Sequence, residues 1–128
     1  MNRDLVHKVL RTIKQRTNLL TTDDVLLGAD RLEARAPLRG VTLNVPGIAV
    51  YLSGYAIERV TTSEGQEPEF EVSTDHETAA VWDVAERLLG LSTTDTEKLF
   101  GSPTKRAVLA ALEQLAAGAD HVNWSSIH

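Results

Sequence analysis

Four histidines carry the widest chemical repertoire in this sequence: His7, His76, His121 and His128. No two sit four residues apart and no His-Glu-x-x-His occurs, so zinc ligation on one helix face is not encoded in the spacing. Asp75-His76-Glu77 groups three polar side chains at an expected helix start. Acid–base or metal chemistry is conceivable there, but acidic residues in a first turn more often answer the helix dipole. The serines form no Gly-x-Ser-x-Gly elbow. The glycines form neither a dinucleotide fingerprint nor a phosphate loop. Asp23-Asp24 and the glutamates lack the alternation and central glycine of a calcium loop. Cysteine is absent, which removes thiol catalysis, disulfides, iron–sulfur clusters and Cys-type zinc sites. The expectation is a non-enzyme with no catalytic residue, metal or cofactor. Only a site assembled from distant residues would make it otherwise.

Binding chemistry is better represented. The formal net charge is −5, but residues 1–16 hold Arg3, Lys8, Arg11, Lys14 and Arg16 against Asp4 alone. Between Arg59 and Arg87 there is no Lys or Arg, only Glu64, Glu67, Glu69, Glu71, Asp75, Glu77, Asp83 and Glu86. That stretch repels polyanions and attracts a basic partner, or the basic first helix of the same or a second chain. The ordinary fate of such a run is a solvated surface. Residues 92–115 hold a short helix, a Gly-Ser-Pro turn and a longer helix opening Thr104-Lys105-Arg106. That order resembles a helix-turn-helix, in which Lys105 and Arg106 would read bases or hold phosphates. The acidic chain, with a pI near 5.3, argues against nucleic acid. Trp124 lies in the C-terminal tail, where it either pins the tail to the domain or anchors a partner. The partner-binding candidates are therefore Trp124, Arg3, Lys8, Arg11, Glu67, Glu69 and Glu71.

These residues need elements to position them. Residues 3–16 predict a helix capped by Asn2, with Leu5, Val6, Val9, Leu10 and Ile13 in one apolar stripe. Thr21-Thr22-Asp23 caps a shorter expected helix through Val25, Leu26, Ala29 and Leu32, stopped by Pro37, with Gly28 against it. Residues 41–45 and Phe70-Glu71-Val72 alternate apolar and polar, predicting two short strands that pair as a ribbon. Pro46 opens a helix through about Val60 that is apolar nearly all round, so residues 46–59 are expected to be the buried centre. Within it, Ser53 should bond back to a carbonyl. Residues 61–73 read as a polar connection. Thr74 or Asp75 caps a helix to Leu89 with Trp82 on its apolar face, closed by Gly90. Ser92 with Asp95 forms a capping box for a helix ending near Phe100. Ser102-Pro103 opens the last helix, which Gly118 closes.

The fold expected from this pattern is mainly α: a compact bundle of five or six helices around an apolar central helix, with a small two-stranded β ribbon (α+β). Residues 1–118 make one helical domain and 119–128 a tail. A chain of 128 residues and 14.0 kDa buries about two-thirds of its surface, enough for a core without staples. No apolar run approaches ~18 residues, and the opening Met-Asn-Arg-Asp lacks a signal-peptide apolar region.

Ala85-Glu86-Arg87-Leu88-Leu89-Gly90-Leu91-Ser92, then Leu99-Phe100, Thr104 and Val108 to Gly118, make a pattern that resembles small uncharacterised proteins of actinobacteria and actinobacteriophages. The opening helix and the small-residue central helix are similar too. Many of those proteins carry a Cys and a Gly-Trp pair in that central helix, where this chain has Gly47, Val50 and Tyr51. The resemblance implies no activity. It implies a cytoplasmic bacterial setting, including a phage-infected host. The function expected is a small non-catalytic regulatory or host-modulating protein that binds another protein. Its partner is a host protein or a second copy, with no membrane involved. The alternative is a helix-turn-helix-like nucleic-acid regulator using residues 92–115.

Overall fold

A computed structural model describes residues 1–22, 25–60, 69–73, 78–102 and 104–127. It is an α+β molecule with five α-helices and two small antiparallel sheets. Helix α1 (Arg3–Gln15) buries Leu5, Val6, Val9, Leu10 and Ile13, and the Asn2 side chain accepts from the Leu5 N–H at its start. The Leu-rich stripe and the cap are local signals, and both act as the sequence predicts.

The next segment departs from expectation. In place of a helix through Leu32 there are two short strands, β1 (Leu26–Leu27) and β2 (Arg31–Leu32). Gly28 decides this. Its φ of +96° is left-handed, and a Cβ there would stand 2.2 Å from the Gly40 carbonyl oxygen. Only glycine fits so close a backbone approach. Strand β3 (Thr42–Leu43) pairs with β1, not with residues 70–72, putting Leu43 opposite Leu26. The ribbon therefore exists with a different partner.

Helix α2 (Val45–Leu52) opens on the Asn44 cap with Pro46 in its first turn and buries every residue from Val45 to Val50. It ends seven residues before the expected 46–59 helix does. Ser53 bonds back to the Ala49 carbonyl (2.9 Å), and Gly54, with φ +90°, takes the left-handed step that stops the helix. The apolar run beyond it becomes β4 (Ala56–Val60). A short apolar run suits a buried strand as well as a buried helix, so periodicity alone could not divide residues 46–60.

Strands β5 (Glu69–Ser73) and β6 (Thr78–Ala80) complete a four-stranded sheet in the order β2-β4-β5-β6. Leu32, Ile57, Val72 and Ala79 stand opposite one another in register, and the first three are buried. The alternate row is Arg31, Glu58, Glu71 and Ala80. One face is thus core and the other meets water.

Helix α3 (Val81–Leu89) starts later than expected because β6 takes the residues before it; the expected caps Thr74 and Asp75 lie outside the described residues. Trp82 is 41% exposed rather than packed inside, and its ring meets Phe100 edge-on at 5.0 Å. Helices α4 (Thr93–Phe100) and α5 (Lys105–Ala116) follow, capped by Ser92 and Thr104. Thr104 caps α5 in place of Ser102; Pro103 lies outside the described residues. A short 3-10 turn (Trp124–Ser126) closes the chain.

The sheet packs chiefly on α2 and α3, whereas α1 packs chiefly on α2, α3 and α5. The α2–α3 layer thus separates the solvent face of the sheet from the solvent face of α1. No helix among the described residues is long and apolar enough to cross a membrane.

Candidate partner-binding site

The burial of α1 decides where its charges go. With its apolar stripe inward, His7, Lys8, Arg11 and Lys14 are left exposed. At 100° per residue, Arg11 sits near the middle of that exposed arc, with Lys8 and Lys14 toward its edges. Lys14 Nζ bridges Glu113 on α5 at 3.0 Å. Lys8 and Arg11 make no ion pair among the described residues.

Helices α1 and α5 run antiparallel. Arg3, at the start of α1, donates to the carbonyls of Gly118 (2.9 Å) and Ala119 (3.3 Å) and pairs with Asp120 (3.2 Å) beyond the end of α5. At the opposite end, Lys14 and Lys105 line one cavity of about 330 Å³. Its walls are Ile13, Leu20 and Leu109, with Thr17 at the mouth. Lys105 and Arg106 are exposed on the first turn of α5. The fold therefore brings together two charge groups that the sequence kept apart, the first helix and the Lys105-Arg106 pair. Arg16 is near as well, lining an adjoining cavity of about 490 Å³ with Gln15, Asn18 and Thr42.

Arg3 and Trp124 are engaged inside the molecule. Arg3 is bonded to carbonyls of the turn that follows α5. Trp124 Nε1 donates to Oδ1 of Asp95 at 3.0 Å, while Oδ2 accepts from the Val122 N–H (3.4 Å) and meets His121 Nδ1 (3.2 Å). Asp95 is 3% exposed. It is the residue that sequence reasoning underrated. Its N–H does bond to Ser92 Oγ (3.2 Å), as half of a capping box requires, but its carboxylate turns to the tail. Nothing in the local pattern marks that, because its three partners lie 26 to 29 residues away. Gln114 adds a second tie, accepting from the Asn123 N–H at 2.6 Å. Lys98 Nζ stands 6.0 Å from the centre of the Trp124 ring.

The acidic candidates are on the sheet side. Glu71 is half-buried opposite Glu58, and Glu69 belongs to β5 opposite Val60. Glu67 lies outside the described residues, as do the Asp75-His76-Glu77 triplet and His128. Arg31 on the edge strand balances part of this charge, bonding Glu33 and reaching Glu58 at 3.2 Å. The Arg31 hydrogen bond, then its charge, hold the Glu33 carboxyl below the usual carboxylate value. Among the described residues no group of three His, Cys, Asp or Glu is placed to hold a metal ion.

The α1–α5 surface can thus attract anions and offer them an apolar recess. The Asp95 cluster, with its bonds turned inward, can hold a chain end in place. Comparison with protein-family models, curated proteins and solved structures finds no match for this chain.

Proposed function

We propose that the protein is a small non-catalytic binding module that regulates another protein by holding an acidic part of it against α1. One observation carries the reading. Lys8 and Arg11 are exposed and have no ion partner among the described residues, and Lys105 and Arg106 are exposed on α5, which packs on α1. Cations left unpaired on a chain of net charge −5 are a local exception to its overall charge. Such a patch steers an acidic surface of limited extent, while the remaining charge repels a long polyanion. The resemblance to actinobacterial and phage proteins supports a bacterial cytoplasmic setting and a host-modulating role. A second copy of the chain is also an acidic partner in this sense, through Glu58 and Glu71. Self-association of that kind weakens as salt rises above about 0.15 M.

A second reading has one observation in its favour. Helices α4 and α5 follow one another in the chain, with Lys105 and Arg106 exposed at the head of the second. Nucleic acid would then bind through those two residues.

One experiment separates these. Tagged protein captures partners from an actinobacterial lysate, with and without nuclease, beside a Lys8→Glu/Arg11→Glu variant. A stoichiometric protein that survives nuclease and is lost from the variant is the expected result. Equal capture by the variant overturns the α1 reading. Loss on nuclease moves the function to nucleic acid.

A further inference from the structure

The cavity between the end of α1 and the start of α5 has two properties that seldom coincide by accident. Its walls are aliphatic, with Ile13 4% and Leu20 2% exposed as residues and Leu109 half-buried. Its rim is cationic, formed by Lys14 and Lys105. Lys105 is also the first residue of α5, where the unpaired N–H groups of a helix add positive potential. A volume of about 330 Å³ is at the lower end of the range that holds a ligand group. An occupant must therefore be apolar at its tip and anionic around it.

The charge beyond the rim sets the occupant's length. Lys14, Arg11 and Lys8 follow one row at three-residue steps, which rises roughly 9 Å along the helix while turning about 120° round it, away from the cavity. Both Lys8 and Arg11 are free of ion pairs among the described residues. A single carboxylate needs no such track. A peptide segment with several carboxylates does, and an extended one crossing α1 obliquely covers that row in about four or five residues. The Lys14–Glu113 bridge does not block it, since both side chains are more than half exposed and such pairs contribute little. Nucleic acid fits the rim but not the recess. Single strands are held by stacking on aromatic rings, and no aromatic residue lines this cavity among the described residues.

We infer that the cavity is the specificity pocket of the proposed interface. It takes one aliphatic or aromatic side chain from an acidic peptide segment whose carboxylates pair with Lys105, Lys14, Arg11 and Lys8. This rests on the proposed α1 reading and adds to it the partner's chemistry. Recognition has the usual form of an interface anchor, an apolar side chain in a pocket inside a charged rim.

The test is an array of nine-residue peptides, Asp or Glu at eight positions and each of the twenty amino acids in turn at the centre. It is probed with the full-length labelled protein at low salt. The expected profile favours Leu, Ile, Met or Phe at the centre at least tenfold over Gly, Ser or Asn. Exchanging the acids for Asn and Gln abolishes the signal. Lys105→Glu, an exposed change that leaves the circular dichroism spectrum intact, lowers the signal at least fivefold. Leu109→Ser flattens the preference at the centre. A flat profile with salt-sensitive binding overturns the pocket while leaving the acidic-partner reading standing. No binding to any acidic peptide overturns both. Stronger binding to a nine-nucleotide oligothymidine than to every peptide overturns the pocket in favour of nucleic acid.

Discussion

Two polar regions of this molecule, one between α4 and the C-terminal tail and one on α1, are built on opposite terms. At the tail, Asp95 is buried; its Oδ1 accepts from the Trp124 Nε1–H, and its Oδ2 accepts from the Val122 N–H and meets His121 Nδ1. On α1, Lys8 and Arg11 lie in water without a partner among the described residues. A buried carboxylate persists only where its bonds are satisfied, so the first arrangement is a requirement of folding. Exposed cations are nearly free of folding cost, so the second arrangement is not a requirement of folding. Reading Trp124 as an anchor and Lys8 as a surface charge inverts this. The aromatic that looks like a hot spot is held by the protein's own Asp95, and the plain cations Lys8 and Arg11 are the ones exposed.

The largest test of the contrast is Asp95→Ala. It leaves the Trp124 Nε1–H and the Val122 N–H without an acceptor in a mostly buried site, and each such loss costs roughly 1–3 kcal/mol. We expect urea unfolding to show a loss of about 2–4 kcal/mol, with residues 119–127 becoming the first site of proteolysis. A loss under about 0.5 kcal/mol would show that the tail is not held by Asp95 and would reopen Trp124 as a partner anchor.

The neighbouring residue sharpens the point in the opposite direction. Thr96 is fully buried and its hydroxyl has no hydrogen-bond partner among the described residues. Thr96→Val removes an unsatisfied polar group at nearly constant shape, and a stabilisation of about 1 kcal/mol is expected. A destabilised variant, read by the same urea titration, would mean that the hydroxyl is satisfied in solution.

How much of this was legible in the sequence follows the same division between local and distant causes. Helix α1, its Asn2 cap, the Ser92 cap of α4 and the Gly90 stop of α3 were all readable, because each depends on residues within one turn. The break after Leu52 was not, since Tyr55-Ala56-Ile57 is as apolar as the helix before it and becomes a strand only by pairing with Val72 and Leu32. The two strands at Leu26 and Leu32 depend on Gly40 approaching Gly28, twelve residues away. The candidate site was half legible. The charges on α1 and on α5 could each be named, but their proximity is a product of antiparallel packing, which no local pattern encodes. The cavity between them was invisible for that reason.

The α1 side of the comparison predicts a small effect on folding. Lys8→Glu with Arg11→Glu should change unfolding free energy by no more than about 0.5 kcal/mol, as exposed substitutions away from packed or bonded groups do. The same variant should lose partner capture. A stability loss beyond about 1 kcal/mol would show that these cations support the fold, and would remove the distinction drawn between the two regions.

The smallest expected effect lies at Arg31 and Glu33, an exposed pair that is neither buried like Asp95 nor unpaired like Lys8. Arg31, first by its hydrogen bond and then by its charge, lowers the Glu33 carboxyl below its ordinary value of 4.5. A carboxylate whose folded value is depressed stabilises the fold above its unfolded value. That contribution is lost as pH falls through the lower, folded value. Between pH 5 and pH 3 the parent should therefore lose slightly more stability than Glu33→Gln, and the difference should shrink in 1 M salt, where exposed pairs are screened. Thermal unfolding of both proteins across that range reads it directly. A pH dependence that Glu33→Gln leaves unchanged would mean that this pair adds nothing.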